Sequence, residues 1–314
     1  MLEIPNKSKF KIAVQLFGHL RTYKECYQSL KEHLLDKYDC DVFMHTWDTI
    51  DHSTQTWHSI HMENKNDNTS QLRSELEEIY NLKKIKIEHQ EPKDMGLITA
   101  IASKISVYGM QCMFHSMTVV NSLREDYQQE TGTQYDFVIT LRPDLLLSED
   151  FNIEYYLERM SEDEIGKAFF TYFFPMIGIW NDYKKIGASD IFYFAKPDII
   201  TNIFKHIETV VEKIKPDIKI NFGPEVYFLE LIQTLGYDIK LIKYNYNTEY
   251  IIKRPTSNKK EINKKTKKNF RLKISLKEFY LYLFANLSFN IIDLRLNLFN
   301  FFKLTICVGG NNDK

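Results

Sequence analysis

The stretch "KFKIAVQLFGHLRTYKECYQSLKEHLLDKYDCDVFMHTWD" constrains the fold more than any other part of the chain. A short apolar strand over roughly residues 10 to 17 runs into a glycine-containing turn, and Thr22 stands where a helix cap belongs. "YKECYQSLKEHLLDKY" continues as the helix, and "DCDVFMHTWD" follows as a second strand ending in polar residues. Strands separated by a helix of this length run parallel, because the crossover carries the chain back along the sheet before the second strand begins. The expected fold class is therefore α/β, a mostly parallel, Rossmann-like sheet flanked by helices.

The remaining segments extend this pattern. Residues 50 to 70 are rich in Asn, Asp, Ser, Thr and His and read as a loop, followed by a helix "SQLRSELEEIYN" and a strand "KKIKIEH". A helical period runs through "TAIASKISVYGMQCMFHSMTVVNSLREDYQQETG" and stops at Gly132. "YDFVITLRPDLLL" is a buried strand interrupted by Arg142-Pro143-Asp144, while "KAFFTYFFP", "DIFYFAKP" and "YDIKLIKY" read as further strands. "DIITNIFKHIETVVEKI" and "PEVYFLELIQTLG" read as helices.

Composition narrows the function classes. With 314 residues, 44% hydrophobic and 26% charged, the chain can bury one large core. The net charge of −1 conceals a local asymmetry, since lysines crowd residues 253 to 273 and acidic residues dominate 145 to 165. Cys26, Cys40, Cys112 and Cys307 lie far apart without a CxxC pair, which points to free thiols and a reducing, cytoplasmic setting rather than a zinc ribbon. No apolar run is long enough to span a bilayer, and the N-terminus lacks the features of a signal peptide.

In a parallel α/β sheet, ligands bind beyond the carboxyl ends of the strands. Three polar clusters fall at such ends: Gly18-His19-Leu20-Arg21-Thr22, His45-Thr46-Trp47-Asp48 and Arg142-Pro143-Asp144. A glycine turn, two arginines, two histidines and two aspartates converging on one rim suit an anionic ligand with a ring, of which a nucleotide diphosphate is the common case. Each cluster also has a plain structural use: Gly18 permits a positive φ, His45 and Asp48 can satisfy strand-end backbone groups, and Arg142 with Asp144 can form a local ion pair. The first loop is neither GxGxxG nor a Walker sequence, which disfavours a dinucleotide enzyme or a P-loop ATPase.

The order of "IAVQLFGHLRTYKECYQSLKEHLLDKYDCDVFMHTWD", "MFHSMTVVNSLREDYQQETGTQYDFVITLRPDL", "SDIFYFAKPDII" and "GPEVYFLELI" resembles that of bacterial nucleotide-sugar glycosyltransferases of the GT-A fold, which build capsules and lipo-oligosaccharides. The resemblance spans about residues 10 to 245. It implies an enzyme that moves a sugar from a nucleotide-diphosphate donor to a surface glycan, with the nucleotide held at Gly18, His19, Arg21 and Thr22. Asp144 matches the last aspartate of the family's DxD-type motif, which grips a divalent metal, whereas Arg142 replaces the first. Two options follow, a single-carboxylate Mg²⁺ or Mn²⁺ site on Asp144 or a metal-free site in which arginine offsets the diphosphate charge, and the metal-assisted site is the expected one. Sugar transfer builds charge on the departing diphosphate, so a cation is needed either way.

An attacking hydroxyl also needs a base, and Asp190 and Glu225 are the candidates. Asp190 can equally brace a turn, and Glu225, after Pro224, sits where a carboxylate favours a helix dipole. Gln111 and His115, four apart on one helix face, can reach the donor or face solvent. His52, His58 and His61 lack a convincing metal-ligand spacing.

The expected organisation is a GT-A-like domain over residues 8–250, a basic linker over 251–274 and an amphipathic helical extension over 275–308. Lysines followed by aromatic helix suit peripheral contact with an anionic membrane, where a lipid-linked glycan acceptor would lie, or packing in a homo-oligomer. No nucleic-acid-binding fold accompanies them. Transfer of a phosphorylated group to the same glycan, and non-catalytic binding of a nucleotide or partner, remain the alternatives.

Overall fold

The computed structural model describes residues 9–52, 68–99, 104–177, 184–207, 209–210, 224–244 and 248–254. The chain divides into two units after Ser257, and all described residues belong to the first. The expectations for the rest of the basic linker, for the 275–308 extension, and for His58 and His61 lie outside the described residues.

The opening stretch folds as its pattern dictates. Strand β1 (Lys11–Phe17) leads into helix α1 (Tyr23–Leu30), which widens into a π-helical turn over Lys31–Leu35, and strand β2 (Asp39–Trp47) returns parallel to β1. Helix α2 (Thr69–Tyr80) then delivers strand β3 (Leu82–Glu88), parallel to β2. The long helix α3 (Val107–Thr131) crosses back to strand β6 (Phe137–Leu141), parallel to β1 on its other side. Further along come the short helices α4 (Ile153–Leu157) and α5 (Glu162–Ile165), β8 (Ala168–Ile177), β9 (Lys184–Ala195), helix α6 (Pro197–His206), helix α7 (Pro224–Thr234) and β10 (Asp238–Leu241). The seven-stranded sheet has the order β10-β8-β9-β6-β1-β2-β3, mostly parallel but mixed, because β9 runs antiparallel to both β6 and β8.

Strand β1 lies inside the sheet between β6 and β2 and feeds two cores. Ile12, Val14 and Leu16 pack with Leu30, Leu34, Leu72 and Leu76 on one face of the sheet. Ala13 and Phe17 pack with Met110, Phe114 and Met117 of α3 on the other. The strand period of two and the helix period near four produce this three-layer arrangement directly. Each aliphatic side chain so buried contributes about 1.5–3 kcal/mol. A polar seam crosses the apolar interior: Gln15 donates from Nε2 to Asn121 Oδ1 at 3.1 Å, Thr140 donates to Gln15 Oε1 at 3.1 Å, and buried Arg124 donates to Asn121 and to Thr201.

Several boundaries depart from the sequence reading. Within the helical period beginning at Thr99 the described helix starts at Val107, and residues Leu97–Thr99 (β4) and Lys104–Ser106 (β5) pair antiparallel. The signal for the true start lay within the run, since Ser106 caps α3 by accepting from the Gly109 N–H. Thr22 stands at the N-cap of α1 without capping it; its hydroxyl donates to the Lys253 carbonyl at 2.6 Å.

The "YDFVITLRPDLLL" strand ends at Leu141, because Pro143 has no N–H for a ladder. It resumes as β7 (Leu145–Leu147), which pairs antiparallel with β11 (Tyr250–Ile252). Residues 251–254, assigned by composition to a linker, thus belong to the folded core. None of the described helices is long and apolar enough to cross a membrane.

Candidate functional site

Because β1, β2 and β6 are parallel neighbours, their carboxyl ends open on one rim, and the three polar clusters meet there. At the end of β1, Gly18 adopts φ +94°, a conformation that L side chains rarely reach. Its N–H faces both the His45 carbonyl at 3.2 Å and Ser116 Oγ at 2.8 Å. Arg21 also takes a positive φ, +45°, and its N–H donates to the Ile50 carbonyl at 3.1 Å. A non-glycine residue held there carries strain of about 1–3 kcal/mol, which the surrounding contacts must offset.

Those contacts are ionic. Arg21 donates from Nε to Asp51 Oδ1 at 2.8 Å and from Nη1 to Asp144 Oδ2 at 3.0 Å. Arg142 grips the same Asp144 with a two-pronged fork, Nε to Oδ1 at 2.9 Å and Nη2 to Oδ2 at 2.6 Å. Arg254 Nη1 stands 3.8 Å from Asp144 Oδ2, brought there because the Lys253 N–H donates to the Asp144 carbonyl at 2.8 Å. Burial pushes the Asp144 carboxyl up, but the guanidiniums of Arg142 and Arg21 overcome it and hold the group below the usual carboxylate range. Burial and repulsion from Arg142 and Arg21 push Arg254 down to about 9. Three guanidiniums thus face two ionised carboxylates, Asp144 and Asp51. Arg142 and Arg254 remain partly exposed while Asp144 is wholly enclosed.

A second pair of acids lies beside this cluster. In the β6–β9 register Leu141 opposes Phe192, so Asp190 falls beyond the carboxyl end of β6, level with the arginine turn. A Cβ on Gly187 would come within 2.7 Å of Glu225 Cβ, so glycine at this position lets the first turn of α7 press against β9. Asp190 is buried and its carboxyl is raised by that burial, with only partial relief from Arg142. Glu225 is raised by burial and then by the neighbouring Asp190, and its Oε2 is enclosed without a hydrogen-bond partner among the described residues. Acids with elevated pKa values in a cationic cleft are the groups that exchange protons near neutral pH.

The remaining residues of the first two clusters form an imidazole-rich flank. His19 Nε2 lies 3.0 Å from Gln90 Oε1, and its ring stands 4.2 Å from that of His52, centroid to centroid. Burial and the charge of Arg21 keep His19 well below the usual histidine value, hence neutral. Trp47 is buried among His19, His45 and His115, so it walls the site from behind instead of offering an open stacking face. Asp48 accepts from the Gln90 N–H at 3.2 Å and lies 2.5 Å from His89 Nδ1, the role of a strand-end brace. Gln111 is half-buried on α3, a turn before His115.

The Asp144 carboxylate as arranged does not suit a divalent ion. Both oxygens are already taken by guanidinium N–H groups, and an added ion would sit against three like charges. The site residues that the sequence did not single out are Arg254, Asp51, Glu88 and Ser116. Glu88 ends β3 on the same rim as His45, so the strand-end rule that found His45 applies to it equally. Arg254 carried no such signal, being embedded in lysine-rich sequence. No protein-family model matches the chain, and no curated protein shows significant similarity to it.

Proposed function

We infer that this rim binds the diphosphate of a nucleotide-activated sugar and that the protein is a glycosyltransferase acting on a surface glycan. The observation that carries the reading is the Arg21–Asp144 contact, which ties the ends of β1 and β6 together beside the partly exposed guanidiniums of Arg142 and Arg254. A phosphate oxygen about 4 Å from such a guanidinium gains roughly 4 kcal/mol at the effective dielectric of a protein surface. Arginines positioned in advance stabilise the charge that grows on the departing nucleoside diphosphate as the sugar–phosphate bond breaks. The arginine option is favoured over a metal on Asp144, whose carboxylate serves to hold the guanidiniums in place. As the acceptor hydroxyl oxygen attacks the anomeric carbon, its proton passes to the Asp190–Glu225 pair.

The test is a thermal-shift screen of the full chain with UDP, GDP and CMP, each with and without Mn²⁺, followed by assay of donor hydrolysis. A specific nucleotide should raise the melting temperature without metal, and Arg142→Ala should abolish the rise. If no nucleotide shifts the transition under either condition, the reading is wrong; binding without turnover on any donor would favour a non-catalytic nucleotide-binding protein.

A further inference from the structure

Beside Trp47, three side chains from three elements converge. His45 at the end of β2, Glu88 at the end of β3 and His115 on α3 bring their ligand atoms within 4.8 Å of one another. Glu88 Oε2 lies 3.1 Å from His45 Nε2 and 2.6 Å from His115 Nε2, so one carboxylate oxygen faces two imidazoles. We propose that His45, Glu88 and His115 form a binding site for one divalent transition ion of the zinc type.

The donor set has the composition of a three-ligand zinc site with an open fourth position, two imidazoles and a carboxylate. Hard ions such as Mg²⁺ prefer all-oxygen shells and are poorly served by it. Lys86 Nζ occupies Glu88 Oε1 at 2.5 Å, which leaves Oε2 directed at the imidazoles.

The surroundings also fix the ligands. His45 is fully buried, and its Nδ1 lies 2.6 Å from Ser116 Oγ, a contact that can hold the proton on Nδ1 and turn the Nε2 lone pair toward Glu88. Trp47 contacts both rings, at 5.1 Å from His45 and 5.7 Å from His115. Tetrahedral coordination with bonds of about 2.0–2.1 Å spaces ligand atoms about 3.3 Å apart, so the His45–Glu88 pair needs almost no adjustment. The closer His115–Glu88 pair must open by roughly 0.7 Å, which side chains as exposed as these allow. Solvent reaches the cluster from the His115 side, where the fourth ligand would enter. The site shares no residue with the arginine cluster and stands or falls independently of the nucleotide reading.

The experiment uses the full chain stripped by chelator dialysis and titrated calorimetrically with Zn²⁺, with Co²⁺ as an optical reporter. One Zn²⁺ per chain should bind, and Glu88→Gln and His115→Ala should each weaken binding by at least ten-fold. Ser116→Ala, which removes the group behind His45, should cost about 10–100-fold. The Co²⁺ complex of the unaltered chain should show tetrahedral d–d bands without thiolate charge transfer, a readout that needs no variant. Failure to bind Zn²⁺ stoichiometrically, unchanged affinity in both Glu88→Gln and His115→Ala, or a thiolate band would each overturn the proposal.

Discussion

Replacing Asp144 with asparagine should destabilise the protein severely. The carboxylate is fully enclosed and accepts three charge-assisted hydrogen bonds from Arg142 and Arg21, at 2.6, 2.9 and 3.0 Å. Asparagine keeps the volume but turns one acceptor into a donor facing guanidinium donors, and it removes the charge that offsets them. Each bond to a charged group contributes about 1.5–3 kcal/mol. The two arginines partly rehydrate, however, since Arg142 keeps some solvent access and Arg21 retains Asp51. The net cost should therefore be that of breaking a buried ion pair from one side, about 3–5 kcal/mol. Against a total stability of about 5–15 kcal/mol this is a large fraction. Urea denaturation followed by circular dichroism measures it as a fall in midpoint at constant slope. A loss below about 1 kcal/mol, the range of exposed ion pairs, would show that the carboxylate is not clasped in the folded protein. Saturating Mn²⁺ adds a second criterion: it should change the melting temperature of an Asp144→Asn variant and of the parent chain by the same amount if arginines, and not a metal, hold this group.

Other consequences are open to measurement. Arg254→Ala should weaken nucleoside diphosphate binding by about ten-fold, the effect of 1.4 kcal/mol, and reduce its salt dependence, as titration calorimetry at two ionic strengths would show; unchanged affinity would remove Arg254 from the site. Glu225→Gln should abolish sugar transfer while leaving nucleotide affinity intact, and retained turnover would exclude Glu225 from the proton pathway. Asp190 and Glu225 both carry folded-state pKa values raised above the unfolded value, so the folded protein holds these protons more tightly. Their stabilising effect is full below the ordinary carboxylate range of about 4 and is lost as pH rises through the raised values. Stability measured from acid to mildly alkaline pH should fall accordingly, and an Asp190→Asn, Glu225→Gln double variant should flatten the fall. Gly18→Ala should cost about 1–2 kcal/mol from the positive φ alone, since a Cβ there meets nothing within 4 Å.

The sheet and the meeting of β1 with β6 at one rim were readable because a strand-helix-strand repeat forces parallel pairing, and parallel pairing places carboxyl ends together. Arg21 and Asp144 lie 123 residues apart in sequence, yet that rule alone brings them to one place. The reversal of β9 was not readable, because a buried apolar strand has the same composition in either direction. The start of α3 was misplaced because apolar residues that pair in β4 and β5 also fit a helical period, and only Ser106 and Gly109 marked the boundary. Glu88 was legible in principle, as a polar residue ending a strand, but Arg254 was not: its place depends on a three-residue strand pairing with Leu145–Leu147.

That short pairing has a mechanical consequence. The backbone of Lys253 is pinned on both sides, its N–H to the carbonyl of Asp144 and its own carbonyl to the hydroxyl of Thr22, so the last described residues, Lys253 and Arg254, are held at the cationic rim. The place of the Arg254 guanidinium beside Asp144 thus depends on the two backbone hydrogen bonds of a single neighbouring residue.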